Sequence, residues 1–451
     1  MVMEKNKKIR VIQTAKYSED RLSEKEEAFF KEDTKGRESH LINIYDDMKY
    51  QEIEGFGGAL TEACSTTLDK MSVDKRKEVI NACFNKETGL GYSFCRTHIN
   101  SCDFSLGNYA YVEKEDDMKL ESFSIERDRK SLIPFIKEAM VVSKNGFKLF
   151  ASPWSPPAWM KTTGKMNGGG KLKEEYKEAW ALYYAKYIKA YAQEGIDIWA
   201  ITVQNEPKAV QRWDSCIYTA EEERDFVRDY LGPILEKEGL GHIKIIIWDH
   251  NKERVFERAN VAYSDKAAEK YIWGTGFHWY SGDHFESLRM TNERYPEKKL
   301  LMTEGCTEGG VKLGSWDAGE KYGHNIVGDL NNWAVAWTDW NMVLDEMGGP
   351  NHVQNFCGAP IIADTKENSV NYQSPYYYIG HFSKFIQPGA RRIGFSRFTD
   401  KLEVTAFKNP NGEIIAVVMN QSEESIPFAL RYEEDIAELE SQPRSIMTLI
   451  Y

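Results

Sequence analysis

The chain has 451 residues, with 58 Lys and Arg against 70 Asp and Glu, a formal charge of −12. At roughly 150 residues per domain this allows about three domains, or one large barrel with an appendage, and it buries a core without disulfide or metal staples. The acidic balance argues against a nucleic-acid or anionic-membrane partner, which needs clustered Lys and Arg; the short basic group Lys5, Lys7, Lys8 and Arg10 reads as a solvated end.

In chain order, alternating runs come first at residues 10–14 and 40–45. Eight short apolar runs follow, at 53–57, 92–99, 149–154, 198–205, 243–249, 276–280, 300–304 and 335–341, with helix-like segments between them. The clearest helix is 174–194, where Trp180, Tyr183, Tyr184, Tyr187, Ile188 and Tyr191 share one face and Gly195 ends the pattern. A second, 127–144, places Ile133, Ile136, Met140 and Val141 together, and a third, 220–238, opens with a capping box of Thr219 and Glu222. Strand–helix alternation repeated eight times predicts a (β/α)8 TIM barrel at residues 53–386. A doubly wound sheet is the competing architecture, but no Gly-x-Gly-x-x-Gly follows any strand. Beyond residue 386 further alternating runs appear, and Asn409-Pro410-Asn411-Gly412 between two of them marks a hairpin. Residues 1–52 and 387–451 are therefore expected to build one small antiparallel β-sandwich. Its last strands lack a row of Trp or Tyr, which favours a scaffold over a sugar-binding module. Asn167-Gly168-Gly169-Gly170 reads as a loop.

Seven cysteines (Cys64, Cys83, Cys95, Cys102, Cys216, Cys306, Cys357) are odd in number, scattered and without a Cys-x-x-Cys pair, the pattern of reduced thiols. The first twenty residues lack the apolar stretch of roughly 7–15 residues that a signal peptide carries, and no run approaches the roughly 18 of a membrane span. A soluble cytoplasmic protein with no stable membrane association is expected. Twelve Trp, 24 Tyr and 21 Phe, 13% of the chain, suit either an aromatic-filled core or a carbohydrate site.

Barrel active sites form at strand C-termini. There the sequence places Arg96-Thr97-His98, Gln204-Asn205-Glu206-Pro207, Asp249-His250, His278-Trp279-Tyr280, Thr303-Glu304-Gly305 and Trp340-Asn341. Glu206 and Glu304, on the fourth and seventh strands, are the paired carboxylates that glycoside hydrolysis requires, one to protonate the leaving oxygen and one to attack or activate water. No His-x-His of a metal hydrolase, strand-end Lys of a Schiff-base aldolase, phosphate loop or Gly-x-Ser-x-Gly turn is present, and Asp249-His250 reads as an ordinary hydrogen-bonded pair. No metal or organic cofactor is implied.

The segments Gly55-Phe56-Gly57-Gly58-Ala59, Ser101-Cys102-Asp103-Phe104-Ser105, Ala151-Ser152-Pro153-Trp154-Ser155-Pro156-Pro157, Asn205-Glu206-Pro207, His278-Trp279-Tyr280, Thr303-Glu304-Gly305-Cys306 and Trp337-Thr338-Asp339-Trp340-Asn341 carry a resemblance to glycoside hydrolase family 30, and within it to the glucosylceramidase branch. The resemblance implies a retaining, exo-acting β-glycosidase with Glu206 as acid and base and Glu304 as nucleophile. It implies substrate contacts from Asp103, Trp154, Asn205, Trp340 and Asn355, with Arg96, His278 and Tyr280 supporting Glu304. The expected substrate is a small β-glucoside or short oligosaccharide. β-Xylosidase or β-1,6-glucan-cleaving activity is the alternative, and a catalytically silent sugar-binding protein a remote one. Residues 208–216 and 307–312 depart from that branch, so the leaving-group side does not carry over.

Overall fold

The computed structural model describes residues 7–144 and 146–451, so Lys5 lies outside the described residues. Eight strands form one sheet: Gly55–Gly58, Phe94–Ile99, Lys148–Pro153, Ile198–Thr202, Lys244–Asn251, Ile272–His278, Lys299–Glu304 and Ala334–Asp339. Their spatial order runs first, eighth, seventh and so on down to second. The two margins meet: Ser93 N–H donates to Phe56 O at 2.9 Å, Leu60 N–H donates to Arg96 O at 2.8 Å, and Ala59 bridges Arg96 in parallel. The expected (β/α)8 barrel is therefore present, with its strands buried along nearly their whole length, as parallel strands covered on both faces must be.

Most strand boundaries shift from the sequence expectation by one or two residues, and two shift further. The sixth strand begins at Ile272 rather than residue 276. Its glycines hide it, and each is there for space: a Cβ on Gly274 would stand 2.5 Å from Lys299 O, and one on Gly276 would stand 2.8 Å from the Thr303 side chain. The fourth strand ends at Thr202, so Asn205 and Glu206 sit on the turn beyond it.

The expected aromatic helix is a 3-10 turn, Glu174–Tyr176, running into Lys177–Gln193, with Gly195 at φ +78 after its end. All six of its predicted apolar-face residues are buried. The expected helix 127–144 is instead two pieces, Glu126–Arg129 and Leu132–Ser143. The break lets Asp128 turn inward, where the hydroxyls of Tyr109, Tyr111 and Tyr191 donate to it at 2.8, 2.6 and 2.6 Å. Val141, assigned to the apolar face, is 77% exposed, because the buried face is centred on Ile136, Ala139 and Ser143. The Thr219 box forms: Glu222 N–H donates to Thr219 Oγ1 at 3.1 Å and Thr219 N–H to Glu222 Oε2 at 2.8 Å.

The chain divides into two compact units, residues 56–312 with 336–371, and residues 1–55 with 313–335 and 372–451. In the second unit, Lys8–Ala15, Ser445–Ile450, Ile414–Asn420, Leu402–Lys408, Arg391–Arg397, Leu41–Glu52, Ile426–Tyr432 and Asp435–Ser441 run side by side in that order. The expected β-sandwich is thus present, its strands hydrogen-bonded in one continuous curled path. Alternate residues from all these strands, among them Ile9, Ile42, Val404, Val418, Phe428 and Leu449, meet in a single core. The hairpin at Asn409–Gly412 pairs Lys408 with Ile414, with Gly412 at φ +92. Removing the Thr219 cap by Thr219→Ala is expected to cost about 1 kcal/mol, read as a lower denaturant midpoint, with Thr219→Asp retaining most of the stability.

Candidate active site

Strand ends bring the charged groups together. Arg96 points up from the second strand, Asp249 from the fifth, His278 from the sixth and Glu304 from the seventh, while Glu206 follows the fourth. Every nitrogen of the fully buried Arg96 guanidinium has a partner. Nε donates to Ser152 Oγ at 3.1 Å, Nη1 to Glu304 Oε2 at 2.5 Å, and Nη2 to Asn205 Oδ1 at 2.9 Å and Asp249 Oδ2 at 2.8 Å. Its carbon lies 4.8 Å from the Trp154 ring and 5.3 Å from the Trp340 ring, which stack on each other at 4.9 Å and 21°.

His278 joins the two halves of the site, with Nδ1 3.1 Å from Glu206 Oε1 and Nε2 2.9 Å from Asp249 Oδ1. Burial disfavours its charge, but the Glu304 charge and the bonds to Asp249 and Glu206 outweigh it and raise its pKa to about 9. Asp249 is held well below the usual carboxylate range: burial opposes this, and the Arg96 charge and the His278 bond overcome it. The two cations thus face three carboxyl groups, Asp249, Glu206 and Glu304. Glu304 is raised by burial against the pull of His278 and Arg96. Glu206 is lowered despite burial, through its bond to His278 and the nearby His250. Tyr280 donates to Glu304 Oε1 at 3.0 Å.

Above this layer lies a cavity of about 160 Å³, the size that holds one six-membered ring. Asp103, Trp154, Asn205, Glu206, Tyr280, Glu304, Trp340 and Asn355 all line it. Arg96 and His278 are fully buried beneath. The structure therefore gathers all ten residues singled out in the sequence. Asp103 accepts from Asn351 at 3.2 Å and from Asn355 at 3.4 Å. Burial, followed by the Glu304 charge, pushes its pKa up to about 8, so it carries a proton near neutrality and offers a donor. Asn205 gives its oxygen to Arg96, which leaves its amide N–H groups for the cavity.

Sequence reasoning missed Asp249, His250, Gln211 and Trp213. Asp249 and His250 are not an ordinary pair. The strand bulges between Trp248 and His250, with Asp249 at φ +52, and the bulge sends Asp249 under the cavity and His250 into its wall. Glu206, His278 and Glu304 each bring one ligand-type atom within 4.8 Å of the others. That trio has the donor types of a cation site, but a His278 charged up to about pH 9 with both nitrogens bonded has no lone pair for a metal.

A TIM barrel with two glutamates in a ring-sized, Trp-lined cavity is the architecture of a glycoside hydrolase. The comparisons give the family. Residues 53–386 match the glycosyl hydrolase family 30 TIM-barrel domain and 389–449 its beta sandwich domain, and the chain belongs to that family. It is 36% identical to the lysosomal acid glucosylceramidase of Mus musculus over 86% of this chain and 79% of the mouse protein. It is 28% identical to an endo-1,6-beta-D-glucanase of Neurospora crassa, over 75% and 71%. Among solved structures, SrfJ from Salmonella typhimurium superposes with a TM-score of 0.95 at 38% identity, over 98% of this chain and 99% of that one. No helix among the described residues is long and apolar enough to cross a membrane.

His278 also links pH to stability. Its pKa is raised from 6.5 to about 9 on folding, so its contribution is complete below pH 6.5 and is lost as pH rises through 9. The wild-type melting temperature is expected to fall across that window, and His278→Gln is expected to flatten the fall. Arg96→Met, which leaves Asp249 buried and uncompensated, is expected to cost about 3–5 kcal/mol in chemical denaturation.

Proposed function

We propose that the protein is a retaining, exo-acting β-glycosidase, foremost a β-glucosidase acting on short oligosaccharides or small β-glucosides. The observation that carries this reading is the spacing of the carboxylates. An oxygen of Glu206 and one of Glu304 lie within 4.8 Å of each other. Retaining enzymes hold their carboxyl groups about 5–5.5 Å apart, whereas inverting enzymes leave about 6.5–9.5 Å for a water.

In the first step Glu304 attacks the anomeric carbon and Glu206 gives its proton to the departing oxygen. In the second, Glu206 takes a proton from water, which attacks that carbon and releases Glu304. These roles need a protonated Glu206 and an ionised Glu304, against the directions in which their surroundings push the two pKa values. A bound glycoside supplies the shift: its leaving oxygen accepts from a protonated Glu206, and positive charge developing at the anomeric carbon favours an ionised Glu304. Arg96 and Tyr280 hold Glu304 with one oxygen each. The amide of Asn205 faces the sugar's 2-hydroxyl, and Asp103 with Asn355 the far side of the ring. A cavity of one-ring size supports action at a chain end. The thiols, all free and buried, suit a reducing compartment, and with it a cytoplasmic setting.

The 28% identical fungal endo-1,6-beta-D-glucanase supports a second reading, cleavage within β-1,6-glucan. Rates on aryl β-glucoside, β-xyloside and gentio-oligosaccharides separate the two, with β-glucoside preferred and end-cleavage products expected. Glu206→Gln is expected to lower kcat by about 10²–10⁴-fold on glucosides with poor leaving groups and much less on activated ones. Glu304→Gln is expected to abolish turnover of both; equal activity of the two variants and wild type would overturn the reading.

A further inference from the structure

The backbone that carries Asp249 and His250 is strained where it turns, and the charged groups that hold it lie outside the cavity. Trp248 and Asp249 stand in succession at φ +71 and +52, a region that non-glycine residues rarely enter and keep only where their surroundings hold them there. The holding group is a carboxylate: Trp248 N–H donates to Glu223 Oε1 at 2.8 Å. Glu223 lies in the first turn of the helix Ala220–Phe226, where Glu221 is exposed, Glu222 completes the cap, and Glu223 is buried. Its other oxygen accepts from Arg258 Nη2 at 2.8 Å, and both side chains of this ion pair are 3% exposed. Arg258, on the helix Val255–Ser264, sets its guanidinium carbon 4.6 Å from the Trp248 ring.

Two routes lead from this pair to Glu206. Along the fifth strand, Asp249 O accepts from Glu206 N–H at 3.0 Å. The Trp248 ring also packs on the His250 ring at 4.9 Å, and His250 Nε2 is 3.8 Å from Glu206 Oε1. Along the segment after the fourth strand, Arg258 Nη1 donates to Tyr218 O at 3.2 Å, and Tyr218 N–H donates to Pro207 O at 2.9 Å, one residue past Glu206. One buried pair thus braces the Glu206 turn from two directions. Such a pair is a weak source of stability, because desolvation offsets its attraction. What these charges supply is a place for two backbone groups, Trp248 N–H and Tyr218 O. An acid has to meet the departing oxygen along one line, and a misplacement on the order of 1 Å costs up to about 100-fold in rate.

We propose that Glu223 and Arg258 are positioning residues for proton delivery, fixing the Trp248–Asp249 turn and Tyr218 so that Glu206 meets the leaving oxygen. This rests on the assignment of Glu206 as the acid. Neither residue lines the cavity, and both act through the backbone on either side of Glu206. The Asp249 carboxylate has anchors of its own, in Thr202 Oγ1 at 2.7 Å, Arg96 and His278, and Glu304 is held by Arg96 and Tyr280. Loss of the pair therefore costs proton delivery and spares the attack by Glu304.

The test compares kcat/KM on phenyl and dinitrophenyl β-glucosides, which share a glycone and differ in whether the departing oxygen needs a proton. The double variant Glu223→Leu/Arg258→Met removes both charges together, so no buried ion is left unpaired, and it takes the acceptor away from Trp248 N–H. It is expected to lower the phenyl value about 10–100-fold and the dinitrophenyl value less than about twofold. Glu223→Gln, which keeps an acceptor for Trp248 N–H, is expected to retain most of the phenyl rate. If the double variant does not fold, Glu223→Asp, which draws the acceptor back by one methylene, carries the same test, with a smaller split in the same direction. Equal losses on the two substrates, or no loss on either, would overturn the positioning role. Glu206→Gln on the same substrates tests the reading beneath it. A split there with none at Glu223 and Arg258 would overturn this inference alone, and no split at Glu206 would overturn the acid assignment and this inference with it.

Discussion

Arg96 is the charge on which the catalytic end of the barrel depends. It sits with no solvent access, between two carboxylates and against the edge of a Trp pair. A bare guanidinium in that position would be prohibitively costly, and so would Asp249 and Glu304 without it. Together with His278 it sets two cations against Asp249, Glu206 and Glu304. Two carboxyl groups held against those cations are the pair that glycoside cleavage uses.

Backbone geometry places these charges. Glu206 adopts φ +49, a conformation that non-glycine residues rarely hold, and its N–H donates to Asp249 O at 3.0 Å. Asn205 N–H donates to Pro153 O at 2.8 Å. The turn after the fourth strand is thus tied to both neighbouring strands, which hold the strain at Glu206. The stacked Trp154 and Trp340 serve twice, as a surface over Arg96 and as wall of the cavity, so electrostatics and shape rest on the same rings.

Much of this was legible in the sequence because strand ends in a barrel converge. Glu206 and Glu304 could be named from their positions alone, and the family resemblance supplied Asp103, Trp154, Trp340 and Asn355, all of which reach one cavity. Asp249 was not legible, since a bulge breaks the period-two alternation by which neighbours on a strand face opposite ways. Gln211 and Trp213 were hidden for another reason: a loop's path is set by partners distant in sequence, here Gly168 and Lys161, and leaves no periodic signal. The start of the sixth strand was masked by Gly274 and Gly276, present for close strand approach and silent in a hydrophobic pattern.

The most direct test of the account is the configuration of the first sugar released, followed by proton NMR within minutes of adding enzyme to an aryl β-glucoside. Carboxylates this close predict that the β-anomer appears first and that the α-anomer grows in only by mutarotation. An α-anomer released first would mean that water attacks the substrate directly, and would contradict the assignment of Glu304 as nucleophile.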